Sequence, residues 1–292
     1  MERNIFALLA SALDGLEGAW ARPSKATFTD RDIVLTFFWG VLHDRSVDWA
    51  CRRGNWPFHD RKRALPSGPT MSRRLREPSV LALIDATRVA LRAIRAEDDR
   101  ATANLDAKPV TVSGHSQDKS AGYGRAGRIF TRGYKLHDIA DPAGNVEVYE
   151  VLSLKVSEQA AARGLLAGYT PRRPGVTLLA DANYDSSELY DLAAERGVQL
   201  VAGKRYKHAK GLGHVYQSPH RLKGLAMQAR DPRVLEPRRR IEGQFGTMGN
   251  VVGGLAPLPN FVRGLTRVRR WIAAKLAIDA AHRFRRINNA TA

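Results

Sequence analysis

The 292-residue chain carries 47 Lys+Arg against 29 Asp+Glu, a formal charge of +18 with a pI near 10.5, which points to a polyanionic partner such as nucleic acid. Its single cysteine, Cys51, excludes an internal disulfide framework and a cysteine-rich zinc site. The longest apolar run, Ile33 to Leu42, is about half a bilayer span, and Asp14 and Glu17 interrupt the leader-like start; a cytoplasmic, nucleoid-associated protein with no membrane partner is expected.

Residues 1–98 read as a small all-α domain. "TDRDIVLTFFWGVL" opens with Thr29 and places Asp32 three residues on, the spacing of a capping box, and its apolar positions suit a core helix. "RSVDWACRRGNWP" predicts a short helix closed by Gly54 and Pro57. "TMSRRLREPS" starts a third with Thr70 as its cap. As the recognition helix of a helix-turn-helix-like unit, it would bring Arg73, Arg74 and Arg76 to base edges or phosphates. A plain packing module is the alternative, since residues 1–100 hold 17 Lys+Arg against 13 Asp+Glu. "SVLALIDATRVALRAIRA" is a fourth, strongly periodic helix.

From about residue 103 the period changes. "ANLDAKPVTVSG" alternates like a strand, with Pro109 restricting it to an edge or a break. "RGYKLHDIAD", the turn "PAGN" and "VEVYEVLSLKV" read as a hairpin. A helix capped by Ser157 follows, then the buried strand "GVTLLAD", a helix ending at Gly197, and the strand "VQLVAGKR". A basic stretch from 204 to about 232 reads as a loop, leading to a helix that holds Glu242. A last helix runs from about Pro259 to Arg286, its apolar side expected to cover the sheet and its cations either DNA-facing or solvated. The order predicts a mixed α/β domain with covered sheet faces over 99–292.

Three acids fall at telling places in that order. Asp106 lies on the first strand, Asp181 ends the fourth, and Glu242 follows three arginines in "RRRIEGQFG". An acid finishing a buried strand of an open α/β sheet borders the reactive crevice. Convergent carboxylates are hard oxygen ligands for Mg²⁺ or Mn²⁺, and a pair of such ions suits in-line phosphoryl displacement. Asp118, in "GHSQDKS", is a nearby alternative to Asp106 but falls in a polar loop. Residues 204–292 hold 19 Lys+Arg against only four acids, so Lys204, Arg205, Lys207, Lys210, Arg238, Arg239 and Arg240 read as contacts to a DNA backbone. His208, His214 and His220 recur every six residues, which suits no helical face, and no cysteines accompany them.

The ordered set "ANLDAKPV", "LLADANYDSSELYD" and "RRRIEGQFG" resembles the DDE-type transposases of bacterial insertion sequences. "GHSQDKSAGYGRAGRIFTRGYKLH" and "GGLAPLPNFVRGLTRVRRWIAAKLAI" resemble stretches common in one branch of them. The resemblance implies a ribonuclease H-like mixed five-stranded sheet flanked by helices over 99–292, preceded by a helical DNA-binding domain over 1–98. It implies Asp106, Asp181 and Glu242 as catalytic ligands of two Mg²⁺ ions, with Mn²⁺ as a substitute. It further implies cleavage at insertion-sequence ends, strand transfer into target DNA, and double-stranded DNA partners bound as a homodimer. This chain departs from the pattern at Asn183, where the family often has Gly, and at Leu235 and Gly249, where it has Tyr and Lys. A left-handed turn at Asn183 would be tolerated by that residue type. A non-transposing nuclease on the same fold, or a catalytically silent DNA-binding relative, are the alternative functions.

Overall fold

Thr29 begins the helix that the sequence implies. Its Oγ1 accepts from the Asp32 N–H at 3.2 Å while Asp32 Oδ2 accepts from the Thr29 N–H at 3.0 Å, a complete capping box. The computed structural model describes residues 2–16, 26–57, 63–92, 101–113, 116–204, 217–238, 254–255 and 257–290. The chain divides into two compact units, one formed by Met1–Ile94 with Met248–Ala292 and the other by Arg95–Thr247.

The first unit is helical. It contains α1 (Glu2–Asp14), α2 (Asp30–Leu42), α3 (Val47–Ala50), α4 (Gly68–Arg74), α5 (Pro78–Ala90) and the C-terminal helix Leu265–Ala290. Ser67, not Thr70, caps α4, accepting from the Thr70 N–H. Pro69 explains the earlier start, because its fixed φ and missing N–H suit the first turn of a helix. Every residue of α2 from Ile33 to Leu42 is buried, so this helix needs cover on several sides. The C-terminal helix supplies part of it, packing on α1, α2 and α5. This corrects the expectation that its apolar side covers the sheet. Val268, Trp271, Ile272, Leu276 and Ile278 are buried, with Trp271 edge-on to Phe37 at 6.4 Å.

The second unit is built on a six-stranded mixed sheet. Its strands are β1 (Thr102–Thr111), β2 (Gly122–Ala126), β3 (Ile129–Ala140), β4 (Val146–Ser153), β5 (Thr177–Ala180) and β6 (Gln199–Ala202). The order is β2-β3-β1-β5-β6, with β4 also on β3. β3 is antiparallel to β1, β2 and β4, whereas β1, β5 and β6 run parallel. Five strands were expected; the sixth is β2, whose "GYGRA" sequence has too little apolar alternation to announce itself. α6 (Glu158–Gly168) and α7 (Ser187–Glu195) close one sheet face over a core that includes Leu105, Ile139, Leu178, Leu200, Leu165 and Leu189. α8 (Pro219–Arg230) lies within the stretch expected to be a loop. Ser218 caps it with Pro219 in the first turn, and Gly224 lets it approach β6 so closely that a Cβ there would lie 2.9 Å from the Leu200 carbonyl. The arrangement is the mixed α/β, ribonuclease H-like fold, with a helical region at the N-terminal side.

Candidate catalytic site

Parallel pairing of β1 with β5 sets Leu105 against Ala180. The next residue on each strand is an aspartate, so Asp106 and Asp181 emerge side by side where β5 ends. Both are held by short local bonds. Asp106 Oδ1 accepts from the Ala107 N–H at 2.8 Å, and Asp181 Oδ1 accepts from the Asn183 N–H at 2.8 Å. Asp181 also caps the single turn Ala182–Tyr184. Asn183 has no left-handed backbone there; among described non-glycine residues only Asp44 has a positive φ. Its side-chain amide instead donates to Asp181 Oδ2 at 3.3 Å, so the Gly-to-Asn departure adds a clamp on the carboxylate. Farther along the turn, the Arg221 guanidinium from α8 grips Asp185 through two bonds of 2.6 and 2.9 Å. The helix that sequence periodicity missed thus fixes the far end of the Asp181 turn.

The site concentrates negative charge. Burial lifts the Asp106 carboxyl to about 6, with Asp181 and Glu158 adding to the rise while the Ala107 N–H and Arg238 oppose it. Burial also raises Asp181, with Glu158 again adding to the effect and the Asn183 N–H and Arg238 opposing it. Glu158 was absent from the sequence reading. As the first residue of α6 it looked like an ordinary helix-start acid, and only the packing of α6 brings it into the field of both aspartates. Its carboxylate pairs with Lys135 at 2.9 Å. Fully buried Tyr184 has its hydroxyl proton held tightly, first by burial and then by Glu158, Asp106, Asp181 and Asp138, and that hydroxyl has no hydrogen-bond partner among the described residues. His137 on β3 is 1% exposed. Burial pushes its imidazole down to about 4, with Lys135 lowering it further and Glu158 opposing.

Arg238 supplies the compensating charge, its Nη2 standing 3.9 Å from Asp106 Oδ2. Asp118 serves the fold instead. It is buried, accepts from the Tyr134 hydroxyl at 2.6 Å and from the Ser120 N–H at 3.0 Å. Arg74 likewise does not present its charge to a ligand, a correction to its expected DNA contact. It is buried against Asp30, donates to Glu77 at 2.9 Å and donates to the Phe28 carbonyl at 2.9 Å. Arg73, Arg76 and Lys204 are exposed. Glu242, Arg239, Arg240, Arg205, Lys207 and Lys210 lie outside the described residues, as do His208 and His214.

Among the described residues no group of three or more His, Cys, Asp and Glu forms a metal cluster. The donor chemistry of Asp106 and Asp181 nonetheless fits part of a divalent-cation site. Both are hard oxygen donors, adjacent, and only partly compensated by Arg238, the one arginine beside them among the described residues. No helix among the described residues is long and apolar enough to cross a membrane.

With this geometry in place, a family model described as a transposase DDE domain matches residues 99–256, more than half of the chain. Comparison with curated proteins and with solved structures returned no match.

Proposed function

The chain belongs to the transposase DDE-domain family, and we propose from that membership that it cuts DNA at insertion-sequence ends and transfers the freed 3′ end into target DNA. The observation that carries this reading is the side-by-side placement of Asp106 and Asp181 by the Leu105–Ala180 register. Asp106, Asp181 and Glu242 would hold two Mg²⁺ ions, or Mn²⁺ in their place, which activate a water and neutralise charge on the reacting phosphate oxygens. Asn183 and the Ala107 N–H fix which carboxylate oxygens remain available. Arg238 partly offsets the charge of Asp106 before DNA binds and then turns to a phosphate oxygen, with Arg239, Arg240, Lys204, Arg205, Lys207 and Lys210 extending the basic track. The helical domain over 1–98 reads the terminal inverted repeats, with Arg73 and Arg76 as its exposed cations, and the chain acts as a homodimer on DNA.

The test is incubation of the full chain with duplex carrying the terminal inverted repeat and Mg²⁺. Asp106→Asn and Asp181→Asn should each lower nicking roughly a thousandfold. Undiminished nicking by both variants overturns the mechanism. Nicking without any joined product in the presence of target DNA instead identifies a non-transposing nuclease on this fold.

A further inference from the structure

The β2–β3 ribbon exposes a surface that the reaction at Asp106 and Asp181 does not use. Its pairing sets Tyr123 opposite Arg132 and Arg125 opposite Phe130. Cross-strand partners and alternate residues share a face, so these four side chains form a checkerboard of two rings and two guanidinium groups. Tyr123 is 60% exposed and Phe130 72%. The rings stack on each other at 6.0 Å with 14° between their planes, and the Arg132 guanidinium lies 5.4 Å from the Tyr123 ring centre. Arg125 and Arg128 are exposed beside them, as are Lys119 and Lys155, and the sequence from Lys119 to His137 contains no acid.

The opposite face of the ribbon explains its glycines. A Cβ at Gly124 would lie 2.5 Å from the Leu154 carbonyl, and one at Gly133 would lie 2.5 Å from that of Val110. The glycine face therefore lies flat on neighbouring backbone, and the ring face is held outward on a rigid support. Exposed rings of this kind cost free energy unless something covers them. Arg132 is held to the Ser116 and Asp118 carbonyls, but Arg125 and Arg128 beside the rings fit a polyanion with flat faces better than an apolar protein partner.

We propose that the Tyr123–Phe130 face binds unpaired bases of DNA, stacking them on the rings while Arg125 and Arg128 hold the adjoining phosphates. Along β3, Phe130 stands eight residues, about 26 Å, from the Asp138 position that faces Asp106. The unpaired bases therefore lie roughly seven or eight nucleotide steps from the reacting phosphate. The inference rests on the reading of the chain as acting on DNA.

Fluorescence anisotropy of the full chain tests it, using labelled single-stranded DNA, a fully paired duplex of the same length, and the same duplex with an unpaired stretch. Tyr123→Ala/Phe130→Ala should weaken binding to the single strand and the unpaired stretch about tenfold or more while leaving the paired duplex unchanged. Tyr123→Phe, which keeps the ring, should bind as the unaltered chain does. Equal binding of all three DNAs by the double variant and the unaltered chain overturns the ribbon proposal alone. Absence of binding to any DNA by the unaltered chain overturns the broader reading with it. A fall in sedimentation mass of the double variant without DNA, with single-strand affinity unchanged, assigns the face to a second copy of the chain and also overturns the proposal.

Discussion

The buried charges of the helical unit are treated differently from those around Asp106 and Asp181. In the helical unit, Arg74 is buried against Asp30 and also bonds Glu77 and the Phe28 carbonyl. Lys275 is 2% exposed and pairs with Asp44, and Arg270 donates to the Leu75 carbonyl. In the sheet unit, Asp106, Asp181 and Glu158 share one field, which burial and mutual repulsion hold above the ordinary carboxylate range at both aspartates. Matched buried ions specify a fold, because removing one strands its partner. Crowded like charges oppose folding, and they persist where a ligand neutralises them. The contrast separates cations that look alike in the sequence. Arg74 belongs to the architecture, whereas Arg238 stands beside Asp106.

The contrast predicts distinct outcomes on each side. The largest is the roughly thousandfold loss of nicking for Asp181→Asn, expected with near-unchanged stability in urea; equal losses of activity and of folded protein would undo the distinction. Next, Arg74→Met should destabilise the chain by about 3–5 kcal/mol in urea denaturation, because Asp30 is left buried and uncompensated. Arg73→Ala should change stability by less than about 0.5 kcal/mol, so similar midpoints for the two variants contradict the division of roles.

His137 gives a pH signature. Its folded pKa of about 4 lies below the ordinary 6.5, so the unfolded chain binds more protons between those values. Its stabilising contribution is complete above about pH 6.5 and is lost as pH falls toward 4, amounting to roughly 3 kcal/mol. His137→Phe should flatten the stability profile over that window, and a profile as steep as that of the unaltered chain argues against a buried neutral imidazole. A smaller effect follows from the acid site. Millimolar Mg²⁺ or Mn²⁺ should raise the melting temperature by roughly 2–4 °C, and Asp106→Asn should abolish that shift. An equal shift in the variant would place the cation elsewhere. In the helical unit, Thr29→Ala should cost about 1 kcal/mol through loss of its half of the capping box.

Local chemistry made much of this legible in advance. Thr29 with Asp32, Ser157, the alternating strand around Asp106 and the apolar run before Asp181 act through neighbours a few residues away, and a capped helix or a strand forms at each. Two kinds of feature stayed hidden. β2 and α8 lack clean apolar periods, because Gly124 lies against the Leu154 backbone, Gly122 against the Ser153 and Lys155 side chains, and α8 is largely solvated with Gly224 buried against β6. Glu158 and Tyr184 gain their significance from packing, which brings Glu158 into the field of Asp106 and Asp181 and buries Tyr184 near Glu158 and Asp106.

The sequence by itself determined the strongly basic balance, the alternation of strands and helices, and the two aspartates at strand positions, since composition and short-range periodicity are written in the order of residues. Tertiary structure alone decided that Asp106 and Asp181 are adjacent, because strand register joins residues 75 positions apart. It also decided that Arg74 and Lys275 are internal counterions and that the C-terminal helix completes the helical unit. Burial sets the energetic value of a charge, and burial is a property of the packed chain rather than of any one segment.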